Sequence, residues 1–176
     1  MRVLLISGST RPGSSNSLAL RKLHALHHPG VATEIYTGLV DLPAFIPGDE
    51  PDKPAVIDLL HRIENADTVV FSTPEYAGGL PGSLKNLLDW TVGGGQLYGK
   101  PVAWLDVANP GRGQGARTQL QTVLGYVGAR IVEAACVHVP LDGSRTDITP
   151  AEETQLSAAQ AALVAAVEED DDASAS

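Results

Sequence analysis

Hydrophobic and punctuating residues alternate along the chain in repeated strand-then-helix units. Residues 2–7 form an apolar run closed by Gly8-Ser9-Thr10, the pattern of a strand buried on both faces. Residues 16–28 follow at helical spacing, with Leu18, Leu23 and Leu26 on one face and Pro29-Gly30 as a stop. A second strand is predicted over 32–37, then a Pro/Gly-rich loop over 38–51 and a helix carrying Val56, Leu60 and Ile63. The third strand, 68–72, runs into Thr73-Pro74-Glu75-Tyr76-Ala77-Gly78-Gly79, and a short helix from Pro81 or Gly82 to Thr91 ends before Gly93-Gly94-Gly95. A fourth strand over 101–107, the loop 108–115 and an apolar stripe at Ala116, Leu120, Val123, Leu124 and Val127 come next. Residues 130–139 read as strand five. The last helix has a full start signal: Thr149 as N-cap, Pro150 at the first helical position and Glu152 three residues after the cap. Its apolar face carries Leu156, Leu163, Val164 and Val167.

Five strands alternating with five helices imply an α/β layer sandwich with a parallel sheet covered on both sides. A single domain is expected over residues 1–167, with an acidic, disordered tail over 168–176. Ligands of an open parallel sheet bind at the carboxyl ends of its strands, so function is expected in the loops after strands one, three and four. Those are also the loops richest in Gly, Ser and Pro.

Charge sharpens this picture. The 176 residues carry 21 acids against 12 Lys and Arg, a formal net charge of −9. Eight of the acids lie after Arg145 with no base among them, leaving 13 acids and 12 bases in residues 1–145. The body is therefore nearly neutral, and neither a nucleic-acid nor a membrane-surface footprint is expected. A lone Cys136 makes no disulfide framework, and no apolar run approaches the ~20 residues of a membrane span. A cytoplasmic protein is the expectation.

The first loop reads Gly8-Ser9-Thr10-Arg11-Pro12-Gly13-Ser14-Ser15-Asn16-Ser17. It brings hydroxyls, an amide, one guanidinium and the free N–H groups of a helix start into one short connection, the donors that a phosphate monoester needs. The same residues would also serve as a plain helix cap in a flexible loop. Without Lys or a G-x-x-x-x-G-K-[ST] spacing, it is not a nucleotide P-loop. In the second loop Pro74 and Pro81 stiffen the backbone, while Gly78 and Gly79 leave room for a flat ligand. Leu84, Leu87 and Leu88 of the following helix belong to the core, and Lys85 and Asp89 are spaced to pair on its surface.

At these two loops the chain resembles the NAD(P)H-dependent FMN reductases, a flavodoxin-like group that includes quinone, azo and chromate reductases. The family pattern Gly-Ser-x-Arg-x-x-Ser-x-Asn is met by Gly8, Ser9, Arg11, Ser14 and Asn16. Its Pro-Glu-Tyr and Pro-Gly-x-Leu-Lys-Asn-x-x-Asp-Trp are met by Pro74, Glu75, Tyr76, Pro81, Gly82, Leu84, Lys85, Asn86, Asp89 and Trp90. The likeness extends roughly over residues 1–140. It implies a flavodoxin-like three-layer sandwich, five parallel strands in the order 2-1-3-4-5. Ser9, Arg11, Ser14, Ser15, Asn16 and Ser17 would hold an FMN phosphate, and Pro74, Glu75, Tyr76 and Ala77 would meet the isoalloxazine largely through backbone. Asn109 and Gly111 of the third loop would close over the far side of the ring. Many members carry Asn where this chain has Ala77, which removes a side-chain hydrogen bond. Asn109 stands where Ser is common, and Gln114 where Gly is frequent.

The resemblance further implies NADPH or NADH as co-substrate, a quinone, free flavin or similar small acceptor, and a homodimer or homotetramer with residues 93–98 at the interface. The absence of a protein acid–base set fits chemistry carried by the flavin itself. Two alternatives use the same fold: an electron carrier of the flavodoxin type working with protein partners, and a ligand-binding protein without enzymatic activity.

Other motifs carry less. The third loop contains G-x-G-x-x-A at Gly111, Gly113 and Ala116, with Glu133 at the spacing of a ribose-binding acid. That motif follows the fourth strand instead of opening the first unit, and Glu133 does not close a strand, which argues against a dinucleotide fingerprint. Arg112 and Arg117 are candidates for a nicotinamide dinucleotide phosphate. His24, His27 and His28 fall near a helix end without a completing ligand, so no metal is expected. Cys136 reads as a core residue and no G-x-S-x-G elbow is present.

Overall fold

The computed structural model describes residues 1–141 and 147–174, with side chains up to residue 170. Its central sheet is built from β1 (Arg2–Ser7), β2 (Ala32–Tyr36), β3 (Thr68–Ser72), β4 (Pro101–Asp106) and β5 (Arg130–Ile131), with β6 (Val137–His138) also on β4. All pairings are parallel, and the order is β2-β1-β3-β4-β5. The helices are α1 (Ser15–Ala25), α2 (Pro54–Asn65), α3 (Gly82–Trp90), α4 (Gln114–Tyr126) and α5 (Pro150–Ser174). This is the flavodoxin-like sandwich that the two motifs imply.

Alternation along β1 divides the core in two. Val3 and Leu5 face α1 and α5, packing with Leu20, Leu23, Leu156 and Leu163. Leu4 and Ile6 face the other way, against Val56, Leu59 and Ile63 of α2 and Leu84, Leu87 and Leu88 of α3. The chain therefore leaves β1 toward one face and β3 toward the other. Since β1 and β3 are neighbours, their carboxyl ends form the crevice where an α/β sheet binds ligands.

Three elements differ from expectation. The apolar run 130–139 predicts one strand, but the chain pairs with β4 over two residues, makes a 3-10 turn at Glu133–Ala135 and returns to β4 as β6. Glu and Ala are poor strand formers, and the turn lets Ala135 enter the α5 core. Helix α1 ends at Ala25, with Leu26 as C-cap in extended geometry, three residues short of the expected end. His27 and His28 thus lie outside it. Helix α5 continues into the segment expected to be a tail, reaching Ser174, with Arg130 bonded to both the Ala166 carbonyl and Asp170; residues 175–176 lie outside the described residues. The start of α5 is the expected capping box: Thr149 N–H donates to Glu152 Oε2 at 2.6 Å and Glu152 N–H to Thr149 Oγ1 at 3.3 Å.

The motif residues of α3 also explain the course of the long β2–α2 connection. Asn86 Nδ2 and Trp90 Nε1 both donate to the Pro43 carbonyl, at 2.9 and 3.0 Å, and Phe45 N–H donates to Asn86 Oδ1 at 2.7 Å. Phe45 meets the Trp90 ring edge-on at 5.1 Å. Lys85 and Asp89 pair on the surface at 2.6 Å, as their spacing predicts.

Candidate functional site

Gly8 begins the first loop because no side chain fits there: a Cβ would come within 2.5 Å of Thr73 Oγ1. Its N–H donates to the Ser72 carbonyl at 2.8 Å, tying the ends of β1 and β3 together. Ser14 caps α1, accepting the Ser17 N–H at 3.1 Å. Its hydroxyl donates to Ser17 Oγ, which is 3.0 Å from Ser7 Oγ. Ser9 Oγ accepts the Arg11 N–H at 3.3 Å. Asn16, 6% exposed, accepts from Ser72 Oγ at 3.0 Å through Oδ1. Four polar residues of the expected phosphate set, Ser9, Ser14, Asn16 and Ser17, thus build the loop. The donors left over include the N–H groups of Ser15 and Asn16 at the helix start and the exposed Arg11 guanidinium, which has no partner among the described residues. One positive charge in the loop that leads into a helix N-terminus suits a phosphate monoester.

In the second loop Tyr76 and Gly79 exchange backbone hydrogen bonds at 3.0 Å each way, closing a two-residue turn. Ala77 has φ +50° and Gly78 φ +79°, the primed type-I geometry. Ala77 is the one non-glycine residue with positive φ among the described residues. Glu75 points away from the turn toward α4, where Oε2 accepts the N–H of Gly115 at 2.7 Å and of Ala116 at 3.3 Å. Gln119 Oε1 accepts the Leu80 N–H at 2.8 Å. The side chain of Glu75 is thus committed to protein contacts, while Pro74 borders the crevice and Tyr76 carries a half-exposed ring.

The third loop rests on a group that the sequence pattern does not single out. Asp106 closes β4 and is 6% exposed; Oδ1 accepts the Ala108 N–H at 2.9 Å and Oδ2 pairs with Arg117. A carboxylate at the end of a buried strand must find such partners, and that is the signal by which it could have been found. Arg117 also donates to Gln114 Oε1 at 2.8 Å, so it is not a free arginine for a dinucleotide phosphate. His138, the register partner of Asp106, donates from Nε2 to the Ala108 carbonyl at 2.7 Å. Asn109, Gly111 and Arg112 remain exposed at the loop tip, and Gly111 uses φ +81° there.

The three loops meet around a hollow of about 240 Å³ lined by Ser15, Asn16, Pro74, Glu75, Asn109 and Arg112, among others. A second, of about 420 Å³, lies on the β2 side of Arg11. Another hollow, of about 610 Å³, is at the amino ends of β1 and β2, where Arg62 is paired with Glu34 and Asp58. It lies away from the loops at the carboxyl ends of the strands, so it is not the candidate. Cys136 is half-buried, and burial pushes its thiol up to about 11, the behaviour of a core residue. No three His, Cys, Asp or Glu side chains are grouped for a metal ion among the described residues, and no described helix is long and apolar enough to cross a membrane.

Comparison with known proteins agrees with this fold. The family described as NADPH-dependent FMN reductase matches residues 1–143. A quinone reductase of Escherichia coli K12 is 31% identical over 139 residues, 75% of this chain and 73% of that protein. An NAD(P)H-dependent FMN reductase of Pseudomonas aeruginosa is 39% identical over 127 residues, 68% of this chain and 65% of that one. The solved structure of a flavoenzyme NAD(P)H:(acceptor) oxidoreductase from Paracoccus denitrificans superposes with a TM-score of 0.74 at 28% identity, over 96% of this chain and 97% of that one. Matched by the family model over residues 1–143, most of its length, the chain belongs to the NADPH-dependent FMN reductase family.

Proposed function

We propose that the protein binds FMN in the crevice between the β1, β3 and β4 loops and reduces a small acceptor, a quinone or free flavin, at the expense of NADPH or NADH in a ping-pong cycle. The observation that carries this reading is the convergence of Ser15 and Asn16, Pro74 and Glu75, and Asn109 on one hollow at the switch point of the sheet. When bound, the flavin supplies the redox chemistry, accepting a hydride equivalent from the nicotinamide and passing two electrons onward.

The residues of the chain bind, orient and shield. Arg11 and the N–H groups of Ser15 and Asn16 take the phosphate, while Ser9, Ser14 and Ser17 hold the loop in shape. Pro74 to Ala77 offer a backbone edge whose turn cannot flex freely, and Tyr76, half exposed, adds an apolar surface at the mouth. Asn109 and Gly111 border the opposite side, and Arg112 is the guanidinium left for the phosphates of the nicotinamide dinucleotide. The same reading takes residues 1–167 as one FMN-binding unit in the cytoplasm and as a subunit of a homodimer or homotetramer. Tyr98 at 81% and Tyr126 at 89% exposure are large rings on the open surface that support such an interface.

The test is to load the purified protein with FMN, mix it anaerobically with each nicotinamide and then add a benzoquinone. The yellow absorbance is expected to bleach and return; FMN-loaded protein that stays oxidised with both nicotinamides would sink the proposal.

A further inference from the structure

We propose that Glu75 is a positioning residue: its carboxylate serves as the N-terminal cap of α4 and fastens the Pro74–Leu80 turn to the start of that helix, where the β4–α4 loop ends, so that two walls of the crevice move as one body. The inference rests on the flavin reading only for its effect on binding. The cap itself is a property of the chain.

Helix α4 cannot cap itself. Its N-cap position is Gly113, at φ +80°, with no side chain to accept a hydrogen bond. A residue with a side chain does not fit there, because a Cβ would lie 2.7 Å from Ala108 Cβ in a left-handed backbone. The first-turn amides must therefore find an acceptor elsewhere, and Glu75 Oε2 takes those of Gly115 at 2.7 Å and Ala116 at 3.3 Å. A carboxylate suits this place because the helix dipole presents positive charge there.

Two further features show that the turn and the helix are fitted to each other. A Cβ on Gly115 would come within 2.0 Å of the Gly78 carbonyl oxygen, so the turn rests on the bare backbone of the first helical turn. One turn later Gln119 accepts the Leu80 N–H at 2.8 Å. Glu75, Gly115 and Gln119 thus join the turn to the start of α4 at three successive points. Removing the first joint frees the end of the turn nearest Pro74, which borders the hollow.

Amide hydrogen exchange of flavin-free, full-length protein tests the cap, and FMN titration tests its consequence. In Glu75→Ala the Gly115 and Ala116 amides are expected to exchange at least about fivefold faster, the ratio of losing one cap, with the β1 and β3 amides unchanged. The FMN dissociation constant is expected to rise about tenfold, with an altered visible absorption band for any flavin still bound. Glu75→Gln keeps an oxygen acceptor at the same reach and is expected within about threefold of wild type on both readouts. Should Glu75→Ala fail to fold, Glu75→Asp, whose charge stops one methylene short of the amides, carries the same expectation. Unchanged exchange at Gly115 and Ala116 would overturn the proposal, as would faster exchange with unchanged FMN affinity and band. Wild-type protein that takes up no FMN would instead sink the flavin reading, and the exchange rates alone would then decide the cap.

Discussion

Replacing Ala77 is expected to make the protein more stable. Its φ of +50° places an L-residue in the left-handed region, where Cβ crowds the following carbonyl at a cost of about 1–2 kcal/mol. The conformation is imposed by the reciprocal Tyr76–Gly79 hydrogen bonds and cannot relax without breaking them. Ala77 is exposed, so its methyl contributes little packing that a substitution would lose. Ala77→Gly removes the crowding but adds about 0.4–1 kcal/mol of unfolded-chain entropy to overcome, leaving a gain of about 0.5–1 kcal/mol. Ala77→Asn keeps a side chain in the unfolded state and tolerates this region, for a similar gain. Ala77→Val, β-branched, is expected to lose at least about 1 kcal/mol. At about 2–4 °C per kcal/mol for a chain of this size, the Gly and Asn variants should melt about 1–4 °C higher. Calorimetry on flavin-free protein separates this from any new contact to a ligand. A neutral Val variant together with a destabilised Gly variant would refute the left-handed assignment at Ala77.

Arg11→Ala should raise the FMN dissociation constant about 10- to 100-fold, the range of a charge-assisted hydrogen bond, and leave riboflavin, which lacks the phosphate, bound as before; equal losses for both ligands would place Arg11 elsewhere. Asp106→Asn should cost about 2–3 kcal/mol in urea unfolding, because it removes the charge that Arg117 pairs with at a nearly buried position; a change below about 0.5 kcal/mol would show the pair to be dispensable. Stability should fall on the alkaline side. Burial holds the Cys136 thiol at about 11 and the Tyr36 phenol at about 12, both above their ordinary values, so the folded state keeps protons that the unfolded chain gives up. The contribution is complete below pH 9 and is lost progressively between about pH 9 and 12; Cys136→Ala should remove the earlier part of that decline in denaturation curves taken at stepped pH.

The strands and helices that bury whole faces were legible in sequence because periodicity reports burial directly. Residues 68–72 are of this kind, while the α5 capping box was legible because its hydrogen bonds are local in sequence. Residues 130–139 were not, since an apolar run states that side chains are buried and not which partner buries them; Ala135 reaches α5 through a turn that a strand would not allow. At the site, the two motifs located the loops, but the types of their residues did not separate ligand donors from scaffolding. Ser14, Asn16 and Glu75 carry polar groups suited to a ligand and spend them on backbone amides and on Ser72, which only tertiary proximity reveals. Asp106 and His138, 32 residues apart in the chain, come together through β-register, a relation that spacing does not encode.

The broken fifth strand also bears on how the molecule avoids its own kind. A sheet edge with a long row of free N–H and C=O groups is a template for another strand. Beyond β4 the chain offers two-residue ladders separated by a 3-10 turn, too short and too offset to seat a passing strand in register. The interruption that lets Ala135 join the core thereby also keeps that border of the sheet from recruiting a neighbour edge to edge.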